Sequence, residues 1–312
     1  MKRIVALIIV FVIAFAAFVA CDNKENTPTE KNYTLAIGVV VSNNTAKATS
    51  TETVAAIVTD ADGKIVLCKI DCIEYSALNK EGKFDTTAPT SKVALGDAYG
   101  KMTAGTWAEQ VVHLEKFVVG KTQAEVAEVV VNGYAADAEL KASCSFYIAD
   151  LTKAIDNAFK SAHKVSFTST ATSFTAGLSA TGSVKDTSED AVNNAEFTSD
   201  FAAAILADGK VVAAILDTAE VVINNVTEEG AESIAFKDNN NGATGTKREQ
   251  GDKYAMTSGA WYVQADAYAK SAVGKTASDI ATLATEGVAG CTMPYSTYSF
   301  KAGLEAAVKT AK

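Results

Sequence analysis

The chain is written twice. GTWAEQ at 105–110, followed by VGKT at 119–122, returns as GAWYVQ at 259–264, followed by VGKT at 273–276. Tryptophan and glutamine are three residues apart in both copies, tryptophan and the next glycine thirteen. The two tryptophans of the chain, Trp107 and Trp261, hold equivalent places. Upstream, Lys92, Gly96, Asp97 and Tyr99 match Lys247, Gly251, Asp252 and Tyr254. Earlier still, Asp62-Gly63-Lys64 matches Asp208-Gly209-Lys210, and the C-terminal stretches 153–162 and 301–311 correspond. Four blocks in one order define a duplicated unit of ordinary domain size, so whatever one copy folds into, the other must too. The reading is a repeat domain over 33–163, a Ser/Thr-rich linker over 164–173, and a second repeat domain over 174–312.

Within each copy, apolar runs flank an Asp-Gly turn. Val54–Val58 and Ile65–Ile73 enclose Asp60–Gly63, and Phe201–Leu206 and Val211–Leu216 enclose Asp208-Gly209. That is the signature of an antiparallel hairpin. Trp107, Val111, Leu114 and Val118 then fall at helical spacing, and Gly120 suits a helix stop. Thr122-x-x-Glu125 and Thr276-x-x-Asp279 read as capping boxes opening a further helix. Each copy ends in a helix, over 151–162 and 300–311. Hairpins first and helices later predict an α+β fold with antiparallel sheets.

Two segments precede the duplication. Met1-Lys2-Arg3 is basic, Ile4–Ala20 is unbroken apolar sequence, and Cys21 follows at once. Phe18-Val19-Ala20-Cys21 resembles the lipobox of bacterial lipoprotein precursors. That resemblance implies a signal peptide over 1–20 and a diacylglycerol-bearing Cys21 as the mature N-terminus. It implies a protein tied to the membrane through its lipid, on the outer face of the cytoplasmic membrane or the corresponding side of a double envelope. An uncleaved anchor helix is the alternative. Residues 21–32 are polar after the cysteine and read as a tether. The net charge is −9, and losing Lys2 and Arg3 makes the mature part more acidic. An acidic body without clustered cations excludes an ordinary nucleic-acid partner.

The chemistry-bearing residues are few. With two histidines, His113 and His163, and no nucleophile at recognisable spacing, neither a hydrolase nor a histidine-rich metal site is expected. Gly120-Lys121-Thr122 lacks the earlier glycine of a phosphate loop. Cys68 and Cys72, on one strand, would stand roughly 13 Å apart, too far to share a disulfide or an ion. Cys144 and Cys291 are equivalent residues in the two copies. The repeated set Lys92, Asp97, Tyr99, Trp107, Gln110 and Lys247, Asp252, Tyr254, Trp261, Gln264 has two readings. It can line a ligand pocket in each copy, or serve as turn, core and surface.

Ala289-Gly290-Cys291-Thr292 before a terminal helix resembles the end of bacterial FMN-binding domains, as does the Asp208-Gly209-Lys210 turn. In that family a hydroxyl after the glycine carries FMN as a phosphoester, attached by a flavin transferase. The resemblance implies Thr292 as attachment residue and Ser145 as its equivalent. Thr244, in the Asn-Gly loop 238–246, is a second textual candidate. The function implied is a surface lipoprotein with two FMN-binding-like domains that carries electrons to a redox partner. The alternative is a non-catalytic lipoprotein that binds a solute or partner without a cofactor.

Overall fold

The computed structural model describes residues 29–312, with the side chains of residues 294–298 excepted. The signal segment, Cys21 and the tether up to residue 28 lie outside the described residues. The first copy builds β1 (Lys31–Asn44), β2 (Thr49–Thr59) and β3 (Ile65–Ser76), then helices α1 (Trp107–Phe117), α2 (Gln123–Ala127) and α3 (Ala149–Lys160). Strand β4 (Val165–Ser169) follows. The second copy gives β5 (Thr175–Asp186), β6 (Ala195–Ala207), β7 (Lys210–Thr227) and β8 (Gly230–Phe236). Its helices are α4 (Trp261–Lys270), α5 (Ala277–Ile280) and α6 (Pro294–Thr310). Two four-stranded sheets result, in the orders β3-β2-β1-β4 and β8-β7-β6-β5, with every pairing antiparallel. The chain is α+β. Residues 164–173, expected as a linker, instead contribute β4, whose alternating Val165 and Phe167 extend the first sheet beyond β1.

The sheets pack face to face. Leu35, Ile37, Val54, Val58 and Ile73 of the first share one buried core with Leu178, Phe197, Phe201, Ile215 and Val221 of the second. The opposite face of each sheet is covered by that copy's own helices, around Trp107 and Leu114 in one core and Trp261 and Leu304 in the other. Four layers, helix-sheet-sheet-helix, bury the central strands on both faces. That is why 201–206 reads as continuous apolar sequence instead of alternating. Strand β3 lies over β5, and β1 over β7. Since β5 copies β1 and β7 copies β3, the two units are related by an approximate two-fold axis.

Local devices repeat as well. Both hairpins carry a register shift at the same place, Val58/Thr59 and Ile205/Leu206. Asp208 and Gly209 both have positive φ, closing a two-residue turn in the second copy. In the first, the Asp60 carboxylate accepts the Asp62 and Lys64 amides across a longer loop. Thr122–Glu125 and Thr276–Asp279 form full capping boxes. Gly38 and Gly177 lie where a Cβ would strike the backbones of α3 and α6, so each terminal helix settles onto its sheet at a glycine. Cys68, Cys72 and Cys144 lie in one outer core and Cys291 in the other, all free, so Cys144 and Cys291 cannot meet.

Candidate functional site

In the first copy the sequence brings Lys92 to the outer face of the sheet through two buried anchors. Ser91 caps the turn Lys92–Leu95. Asp71 on β3 accepts the amides of Val93 at 3.0 Å and Cys72 at 2.7 Å. Burial pushes the Asp71 carboxyl up to about 6, the hydrogen bonds partly opposing it. So fixed, the Lys92 ammonium pairs with Glu74 at 2.7 Å and lies 4.8 Å from the Tyr99 ring centre and 5.5 Å from that of Trp107. Tyr99 donates its hydroxyl to the same Glu74. Burial acts to lower the Lys92 pKa, but Cys72 and Glu74 outweigh it and hold the amine above its ordinary value. Phe146 stacks on Trp107 with centroids 5.8 Å apart. Beside this cluster is a cavity of about 200 Å³ bounded by Lys92, Tyr99, Trp107, Phe146, Tyr147 and Asp150. Tyr147 stands 55% exposed at its mouth.

The second copy rebuilds the cluster with changed chemistry. Asp217 accepts the Thr218 and Arg248 amides, as Asp71 does in the first copy, and burial raises its carboxyl to about 7. Lys247 pairs with Glu220 at 2.7 Å and lies 5.5 Å from the Tyr254 ring centre. Trp261 is buried against Phe300, its Nε1 without a hydrogen-bond partner among the described residues. Where the first copy has the Thr53 hydroxyl on Cys72 at 3.7 Å, the second has the Thr218 hydroxyl on Asp200 at 2.6 Å.

Not all of the repeated set lies in these clusters. Gln110 donates to the Gly105 carbonyl at 2.8 Å and accepts the amide and hydroxyl of Ser145 at 2.8 and 3.0 Å. Gln264 does the same between Gly259, at 3.1 Å, and Thr292, at 2.9 and 2.8 Å. The motif recurs without tryptophan at 245–250, GTKREQ, where Gln250 joins the Gly245 carbonyl to the Asn241 amide group. Gln110 and Gln264 each clamp two backbone segments together, and the pocket reading is corrected for both. It is corrected also for Asp97 and Asp252. Both are exposed in short turns, with Asp252 accepting the Tyr262 hydroxyl.

The residues singled out for flavin fare unequally. Thr292 is exposed, Ser145 half-buried, and each hydroxyl donates to its glutamine. A cavity of about 370 Å³ adjoins Thr292, lined by Thr285, Glu286, Gly287, Val288, Cys291 and Met293. Among the described residues this lining supplies a carboxylate, no cation for a phosphate, and no ring for an isoalloxazine to stack on. Thr244 is exposed in the loop before Thr246, two residues from Gly242, whose carbonyl takes the Lys253 ammonium. The described surroundings of Thr292 fit the attachment hydroxyl but not the rest of FMN. His113 is exposed on α1, and the His163 ring packs 3.9 Å from that of Tyr262.

Three features escaped the sequence reading. Glu74 and Glu220 hold equivalent places in a residue-for-residue repeat of β3 in β7, two residues after Cys72 and Thr218, which was a usable signal. Arg248 is buried and bonds Leu216 O at 2.8 Å, His163 O at 3.0 Å and Asp266 at 2.6 Å. The first copy holds Val93 and Val112 at the places of Arg248 and Asp266, an apolar pair exchanged for an ionic one. Glu52 is fully buried between the sheets, with no sequence signal at all. No protein family, no curated protein sequence and no solved structure matches this chain.

Proposed function

We propose that this is a lipid-anchored extracytoplasmic binding protein without catalytic machinery, whose first copy takes a small planar ring compound. The supporting observation is the 200 Å³ cavity, where a lysine and the rings of Tyr99, Trp107, Phe146 and Tyr147 converge. Aromatic faces offer a flat ligand stacking area, and Lys92 offers one donor to fix its orientation. The volume suits one or two fused rings. The anchor rests on the lipobox resemblance at Cys21. A half-closed niche on a tethered, acidic body suits capture of a solute outside the cell.

Flavin carriage is the second reading, favoured by the exposed Thr292 hydroxyl at the mouth of its own cavity. The two readings separate on protein purified from its native host. Intact mass and visible absorbance are measured first, then peptides containing Thr292, Thr244 and Ser145. The binding reading expects colourless protein with Cys21 lipid as the sole adduct, and a ring compound released on denaturation. A yellow protein with FMN mass on Thr292 would overturn it in favour of electron transfer.

A further inference from the structure

We propose that Lys247 and Glu220 condense into an intramolecular amide, with Asp200 relaying the protons. The pair is pre-assembled. Nζ and Oε1 are 2.7 Å apart, and both side chains are only 13% exposed. The Lys247 amide donates to Thr218 O at 2.8 Å, which ties the loop to β7 beside the acceptor carboxyl. The Tyr254 ring centre lies 5.5 Å from the Lys247 ammonium. Asp200 on β6 is paired with Thr218 in the sheet, and Glu220 lies two residues further along the same face of β7. The two residues are therefore diagonal neighbours, their Cα atoms within about 8 Å of each other. Burial raises the Asp200 pKa, the Thr218 hydroxyl and Lys247 opposing it, and Lys247 and Glu220 are both among the charges that act on Asp200.

The reaction balances without a further reagent. Lys247 Nζ attacks Glu220 Cδ, a C–N bond forms, and one C–O bond breaks. The ammonium and carboxylate give an amide and one water, with no change in net charge. The ammonium gives up two protons to the departing oxygen, one directly across the 2.7 Å contact and one through Asp200, which hands on a proton and recovers one from nitrogen, so that the oxygen leaves as water. Two mostly buried charges become one neutral amide, which removes the cost of keeping them from water.

The first copy is an internal control. Lys92 and Glu74 are equally close, but Glu74 is 48% exposed and Thr53 stands where the second copy has Asp200. That pair stays ionic. The test is protease digestion and mass spectrometry of the full chain from its native host. The expected result is one branched peptide joining Lys247 to Glu220, lighter by one water than its two parts. Lys92 and Glu74 should appear in separate linear peptides. Asp200→Asn should return linear Lys247 and Glu220 peptides, and Asp200→Glu should restore the branch. Linear Lys247 and Glu220 peptides from the unaltered protein would overturn the proposal. A branch that survives Asp200→Asn would overturn the relay.

Discussion

Glu52→Gln should make this protein more stable at neutral pH and change nothing in mild acid. Glu52 lies on the inner face of β2, fully buried, and neither carboxyl oxygen has a hydrogen-bond partner. The neighbouring Ser50 hydroxyl is unpartnered too. Across the interface the Tyr75 hydroxyl bonds Ser199 Oγ at 2.7 Å and Thr198 O at 2.8 Å. Burial pushes the Glu52 carboxyl from 4.5 to about 8, with Ser199 opposing it. A pKa raised on folding means that the folded state binds the proton more tightly. Its contribution is therefore intact below pH 4.5, declines as pH rises through the window, and is exhausted above about 8. Each unit is worth about 1.36 kcal/mol, so ionisation costs about 3 kcal/mol by pH 7 and about 5 kcal/mol at the alkaline limit. The glutamine side chain is nearly isosteric and cannot ionise. Urea unfolding of both proteins from pH 4 to 9 should give curves that meet at the acid end and diverge by about 3 kcal/mol at pH 7. The variant should keep a weaker pH slope of its own, because Asp71 and Asp217 are also raised, to about 6 and about 7. A difference between the two proteins that is independent of pH would refute the burial of Glu52 in an unpaired state.

Further substitutions test the duplicated architecture. Arg248→Val should cost about 2–4 kcal/mol by stranding the Leu216 and His163 carbonyls, and adding Asp266→Val, the first copy's solution, should recover a substantial part. A double-mutant cycle by urea unfolding measures that coupling. Gln110→Leu, which orphans the Gly105 carbonyl and the Ser145 amide, should cost about 2–4 kcal/mol in the same assay. Gly38→Ala should lower the midpoint of thermal unfolding sharply, since its Cβ meets the α3 backbone, whereas Gly63→Ala, in open space, should act only through its positive φ.

What the sequence made legible was local. The Asp208-Gly209 turn and the Thr122 and Thr276 caps are each decided within four residues, and the structure holds them all. The sandwich of the two sheets was not legible because it is a relation between copies. Ala202–Leu206 carried the hint, apolar on both faces, yet such a run also fits a sheet with one face buried by its own helices and the other by an unspecified partner. Strand β4 was hidden by its serines and threonines, which read as linker although Val165 and Phe167 alternate. Among the site residues, Lys92, Tyr99 and Trp107 came together because repetition marked them. Gln110 and Asp97 were marked by the same repetition for a different reason, as backbone clamp and turn. Persistence between copies reports constraint without saying whether a ligand or the chain itself imposes it, and the tryptophan-free clamp at Gln250 is what separates the two.

The binding reading is tested most directly at Trp107. In Trp261→Phe protein, Trp107 is the sole tryptophan, and its emission can be followed while 4-nitrobenzoate, a single-ring anion, is added. The account expects saturable quenching that Lys92→Met weakens at least about tenfold, equivalent to about 1.4 kcal/mol. Linear, collisional quenching of the same slope with and without Lys92 would contradict it.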